Sequence, residues 1–236
     1  FIHFKLIHMH NLQENKEHFG QDQLIPFLWL RRSIGLLGIL FPFVMYFGSN
    51  YFGKCDCPLH SVSAYYHSPM QNVFVGILCV IAMFLFTYRG PKKEDSWAAN
   101  FACIFCLCVA FLPTTPDNSQ PDCIVCYQYH FGVLHKISAV SFFLCLSYFS
   151  LILFPKTHED QIPTAEKLNR NIVYRVCGYV MLGCMASIAI IAILIYFKII
   201  PDIDSYVFWF ECIALTFFGI SWIVKGGWFL QDKPKI

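Results

Sequence analysis

Two cysteine pairs, and a few polar side chains set in apolar sequence, carry what chemistry this chain could perform. Cys55 and Cys57 make a C-x-C, and Cys123 and Cys126 a C-x-x-C. Four sulfurs in two short pairs suit disulfides or a four-thiolate zinc site, with free thiols as a third reading. Between the pairs runs Pro58-Leu59-His60-Ser61-Val62-Ser63-Ala64-Tyr65-Tyr66-His67-Ser68-Pro69. This stretch is too polar for a membrane helix and too aromatic for a tether. It should fold back onto its neighbours with the tyrosines at headgroup level. Ser63, Tyr65, Tyr66 and His67 are the candidate ligand-binding residues there. The plainer alternative is an ordered cap whose Ser and His side chains satisfy exposed helix ends.

His135, Lys136 and Glu211 interrupt long apolar runs. Charge buried in a membrane is costly, so such residues are candidates for a working site. Asp204 precedes Glu211 by seven residues, a spacing that would put both on one helix face, and Ser138 shares a face with His135. The expected arrangement pairs Glu211 with Lys136 or His135 across an outward-opening polar pocket that binds a ligand. Its competitors are a salt bridge that only fixes helix register and a Lys136 that snorkels to the interface.

The elements that must position these residues are membrane helices. The chain is 57% hydrophobic, 18% aromatic and 14% charged, with a mean hydropathy of +0.53. A soluble domain carries roughly a quarter charged residues. Apolar runs lie near 33–51, 71–89, 97–113, 131–155, 172–198 and 205–225, with Pro91, Pro113, Pro155 and Pro201 between them. In lipid every backbone polar group needs an internal partner, so these runs predict helices. The alternation of barrel strands is absent. The expected fold is an all-α integral membrane protein, a bundle of six transmembrane helices. Residues 1–32 form a polar N-terminal lead, 33–225 the transmembrane domain, and 226–236 a cytoplasmic tail. Within the lead, 23–32 reads either as an interfacial segment anchored by Trp29 or as an extension of the first helix. No cleavable signal peptide is visible.

Charge sets an orientation. Fourteen of the seventeen Lys and Arg fall on one side of this six-span arrangement, Lys54 and Lys198 on the other, and Lys136 inside the fourth run. The positive-inside rule therefore puts both termini in the cytoplasm. The loops at 50–70 and 114–130 then face the oxidising side, which favours disulfides among Cys55, Cys57, Cys123 and Cys126. The other eight cysteines lie within helices, where thiols pack as small apolar groups.

The stretch PLHSVSAYYHSPMQNVF, with HKISAVSFF in the fourth run and FWFECIALTFFGISW in the sixth, resembles the DRAM/Sfk class. That class comprises six-helix proteins that include autophagy modulators and lipid-remodelling accessory factors. The chain resembles more closely a family of uncharacterised bacterial six-helix membrane proteins with an S-x-S-A-Y-Y loop and a V-Y-R-V-C-G fifth helix, here Val173 to Gly178. The resemblance covers most of 33–225 and implies a bacterial inner membrane location. It carries over no catalytic residue. The acidic residue that these families place after the first loop's serine is replaced by Ala64.

Three functions compete. The first is a non-enzymatic protein binding lipid, or a lipid-like ligand, from the outer leaflet. The second is a metal-assisted intramembrane hydrolase, similar in idea to the alkaline ceramidases, drawing on His60, His67, His130, His135, Asp204 and Glu211, with Ser61 or Ser63 as polariser. However, His130 and His135 are five apart, unlike the H-x-x-x-H of that class. The third is an accessory subunit docked on a membrane protein partner through Gly178, Gly183 and Ser187. No phosphate-binding or dinucleotide glycine loop is present, nor a C-x-x-C-H haem site, and no cofactor is expected. Basic residues sit where topology needs them, so nucleic acid is not a partner. Neither repeated halves nor broken helices suggest a transporter.

Overall fold

The computed structural model describes residues 2–53, 57–90, 92–116, 129–157 and 163–231, with side chains from residue 27 onward and that of residue 129 excepted. The described residues form helices and connecting turns, with no strand. Six α-helices occur in chain order: α1 (Ile2–Gly53), α2 (Gln71–Thr87), α3 (Lys93–Phe111), α4 (Tyr129–Tyr148), α5 (Ala165–Tyr196) and α6 (Tyr206–Lys225). A 3-10 helix (Val62–His67) stands between α1 and α2, and a π-helical turn (Phe149–Leu153) continues α4. The apolar part of each helix falls on one of the six runs expected from the sequence. The backbone of α1 runs through 23–32 in one helix, the form that the extension reading of that segment takes.

Among the described residues five helices are long and apolar enough to cross a membrane: Phe27–Gly53 of α1, α3, His130–Leu153 of α4 with its π turn, α5, and α6. The remaining one, α2, has 17 residues. That length rises roughly 26 Å, slightly less than a hydrocarbon layer of about 30 Å.

Each helix packs on its chain neighbours, and α6 closes the ring against α1. The α1–α6 seam is tightest at two glycines. A Cβ on Gly35 would stand 2.6 Å from the Gly219 carbonyl, and one on Gly219 would stand 2.4 Å from the Gly35 carbonyl. Only hydrogen at both positions lets the backbones meet, the small-residue packing that membrane helices use where apolar burial gives no drive. Gly178 serves α5 in the same way, lying against Leu151 of the π turn. It is therefore occupied inside the bundle and does not form part of an outward docking face. Gly183 is open.

The two ends of the ring differ in chemistry. At one end Tyr88, Phe149, Phe154, Tyr174, Phe218 and Trp222, all buried, stack around the Trp222 indole or next to it. Basic side chains of α1, α5 and α6 lie over these rings. Nearby, Lys156 after α4 reaches Glu94 of α3 at 2.6 Å, and that carboxylate holds the ammonium above its ordinary range. The other end carries the 3-10 helix and the candidate site.

Candidate functional site at the end opposite the basic residues

The 57–70 segment forms a plug against α1, α2 and α6. Val62, Ala64, Tyr65, Tyr66 and His67 are all buried in it. Ser61 caps the 3-10 helix, its Oγ accepting the Ala64 amide at 3.0 Å. Glu211 supplies the rest of the cap from across the bundle. Its Oε2 accepts the Val62 amide at 2.7 Å, and the Ser63 amide also donates to this carboxylate. A carboxylate at a helix start satisfies orphan N–H groups and complements the local dipole.

The first turns of α6 hold the plug at three levels. Ser205 Oγ donates to the Pro58 carbonyl at 2.8 Å. The Phe208 amide, an orphan donor of the first helical turn, donates to the His60 carbonyl at 3.0 Å. Glu211 follows one turn further. This arrangement corrects the expected pairing: among the described residues Glu211 makes no ion pair with Lys136 or His135. Lys136 is exposed on α4, as a snorkelling lysine would be. Asp204 does not share a helix face with Glu211 either. It is exposed and precedes Ser205, whose left-handed φ of 56° starts α6 only at Tyr206.

Two histidines meet at the end of α3. His67 Nε2 lies 2.7 Å from the Thr114 carbonyl, and His135 Nδ1 lies 2.7 Å from the Leu112 carbonyl. A carbonyl only accepts, so each of these nitrogens carries its proton. Leu112 and Thr114 flank Pro113, where α3 stops and its last carbonyls lose intrahelical donors. His135 is 2% exposed and His67 8%. Their remaining nitrogens, His67 Nδ1 and His135 Nε2, are buried and have no hydrogen-bond partner among the described residues. In the neutral rings these are two acceptors that face no donor among the described residues. Ser138, one turn beyond His135, is buried on the same face as the sequence spacing implied.

The other candidates act as packing. Tyr65 stacks on Phe208, and Tyr66 stands edge-on to Phe74 and to His67. Ser63 is half-buried and takes part through its amide. His60 is exposed with its ring against Tyr206, and His130 is exposed. Cys57 is an exposed free thiol. Cys55, Cys123 and Cys126 lie outside the described residues, so the proposed staples involve positions that are not described. The described cysteines within the helices are free thiols, as packing residues would be.

The sequence did not reveal the two carbonyl acceptors or the left-handed Ser205. Pro113 was the available signal for the former, because a proline-terminated helix leaves carbonyls for some side chain to satisfy. Among the described residues no three of His, Cys, Asp and Glu converge on a metal-binding arrangement. Comparison with protein-family models, with curated proteins and with solved structures finds no match.

Proposed function

We propose that this chain crosses the bacterial inner membrane six times with both termini in the cytoplasm, and that it binds the head of a lipid or lipid-like ligand at its outer end. The alternation of helix ends supports six crossings. The α2 helix runs from the plug at Gln71 to the aromatic cluster at Tyr88, end to end like its longer neighbours. The described basic residues Arg31, Arg32, Arg89, Lys92, Lys156, Lys167 and Lys225 belong to the end away from the plug, which the positive-inside rule makes cytoplasmic. This is the architecture that the DRAM/Sfk resemblance implies.

The pair of unpartnered imidazole nitrogens carries the binding reading. A buried acceptor without a donor costs free energy, and a ligand hydroxyl, amide or ammonium would repay it. Such donors are found on lipid heads, and the exposed apolar side chains of α4 offer a surface for acyl chains. The test uses the double variant His67→Gln, His135→Asn. These amides can still donate to the Thr114 and Leu112 carbonyls but remove both ring acceptors. Native mass spectrometry of protein released from mild detergent should show lipid retained by the parent and lost from the folded variant. Equal retention by both, or none by the parent, overturns the reading.

One observation favours the hydrolase as a second reading. An imidazole that donates one N–H to a carbonyl and offers the other nitrogen is oriented as metal-bound histidines are. Two such rings are too few for a protein zinc site without further ligands. Elemental analysis finding stoichiometric zinc would favour this alternative.

A further inference from the structure

Residues 226–231, which the sequence presents as the start of a cytoplasmic tail, are folded against the bundle. The Gly227 amide donates to the Val224 carbonyl at 3.0 Å, and the Trp228 amide to the Ile223 carbonyl at 3.3 Å. With Gly227 at a left-handed φ of 67°, these two bonds make a Schellman cap. The cap satisfies the last carbonyls of α6 and turns the chain off the helix axis.

Two arginines hold the turned segment from either side. Arg32 of α1 donates through Nε to the Gly226 carbonyl at 2.9 Å and through Nη2 to the Gly227 carbonyl at 3.2 Å. Arg170 of α5 donates to the Leu230 carbonyl, and the Gln231 side-chain amide closes back on the Gly227 carbonyl. The fit on α1 is close. A Cβ on Gly226 would stand 2.8 Å from Arg32 Cγ and 3.2 Å from the Leu28 carbonyl. The segment therefore lies across the end of α6, from α1 to α5. Its side chains Trp228, Phe229 and Leu230 are exposed, Phe229 to 63%.

The anchors set the depth of this segment. Arg32 directly precedes the apolar run that begins at 33, and Arg170 stands just before the run that begins at 172. Both belong to helices long and apolar enough to cross a membrane. A turn bonded to both arginines stands where hydrocarbon gives way to headgroups. Trp29 is exposed there too, with Arg32 Cζ 5.4 Å from its ring centroid. Trp97, near the start of α3, is exposed at the same end. Tryptophan joins an apolar body to a polar N–H and concentrates at this level of a bilayer. An ordered, exposed Trp-Phe-Leu turn is apolar surface of the kind that marks an interaction, and its place beside two membrane helices makes lipid the occupant.

We propose that residues 226–231 form an interfacial foot, clamped to the bundle by Arg32 and Arg170, whose Trp228, Phe229 and Leu230 side chains insert into the headgroup layer. The proposal holds for either orientation of the bundle and is independent of what the histidine pair binds.

The full chain is reconstituted into phosphatidylcholine nanodiscs, and the Trp228 emission is taken as the difference between the parent and Trp228→Phe. Phosphatidylcholine brominated on its acyl chains should remove most of that emission, whereas iodide in the buffer should remove little. Quenching by iodide that equals or exceeds quenching by the brominated lipid would overturn the proposal. A second readout does not use tryptophan. With p-benzoylphenylalanine in place of Phe229, irradiation in the same nanodiscs should attach lipid, read as a mass increase of one lipid molecule. Attachment to a second copy of the chain, or a product without lipid, would overturn it. Arg32→Lys keeps the charge but loses the fork that grips two carbonyls. Against a Trp228→Phe control in that background, the Trp228 emission should become more open to iodide, and an unchanged value would overturn the clamp. The foot itself is decided in the parent background, even if the Arg32 variant fails to fold.

Discussion

Glu211 Oε2 accepts the Val62 amide at 2.7 Å, a hydrogen bond between groups 149 residues apart. With it α6 supplies the cap of a 3-10 helix that belongs to the loop between α1 and α2. Replacement by leucine leaves the Val62 and Ser63 amides without this acceptor. Glu211→Leu should therefore destabilise the protein by about 2–4 kcal/mol in detergent, and Glu211→Gln by less, because one acceptor oxygen remains. Adding Lys136→Leu should change nothing further. A coupling energy in that double-mutant cycle above about 0.5 kcal/mol would mean that the two side chains meet after all.

The α1–α6 crossing gives a prediction of another kind. An added methyl at Gly219 would meet the Gly35 carbonyl and the Ile39 side chain, whereas one at Gly183 would meet nothing within 4 Å. Gly219→Ala should cost about 1–3 kcal/mol through overpacking. Gly183→Ala should be neutral or stabilising by up to about 1 kcal/mol, since alanine is the better helix former. Thermal unfolding of the two variants side by side checks this.

How much of this could be read from the residues follows from the reach of each interaction. Helix positions were legible because twenty apolar residues in a row leave the backbone no other way to satisfy itself in lipid. The plug was legible in outline: Ser61 does satisfy a helix end, as the plainer alternative held, whereas His67 meets the Thr114 carbonyl just beyond α3. The partner of Glu211 was not legible. Side-chain partners advertise themselves by charge, but every residue carries a backbone amide, so an amide acceptor leaves no trace in the sequence. The aromatic cluster at the basic end was hidden for a related reason. Tyr88, Phe154, Tyr174 and Trp222 belong to four separate stretches of the chain, and each looks like ordinary apolar content until the ring closes.

Sidedness can be tested through thiols. Cys57 is exposed and free beside the plug, and Lys93 is exposed at the other end. With Cys55, Cys123 and Cys126 replaced by serine, Cys57 should react with a membrane-impermeant maleimide in sealed cells without prior reduction. A cysteine introduced by Lys93→Cys should react only after permeabilisation. If both sites are modified together in sealed cells, the six-crossing arrangement fails.

The histidine pair separates a supporting role from a binding role. His135 Nδ1 donates to the Leu112 carbonyl at the end of α3 and His67 Nε2 to the Thr114 carbonyl just beyond it, and those bonds hold α4 and the plug to this stretch. His135→Leu should leave the Leu112 carbonyl unsatisfied in a buried place and cost about 1–3 kcal/mol. An asparagine amide nitrogen stands close to where Nδ1 stood, so His135→Asn should recover most of that loss. Glutamine reaches the position of Nε2, so the same comparison at residue 67 is His67→Leu against His67→Gln. If asparagine at 135 is no better than leucine, the carbonyl contact is not what holds α4 to α3. If both amide variants recover stability, any change in bound lipid arises from the missing ring acceptors and not from a loosened fold.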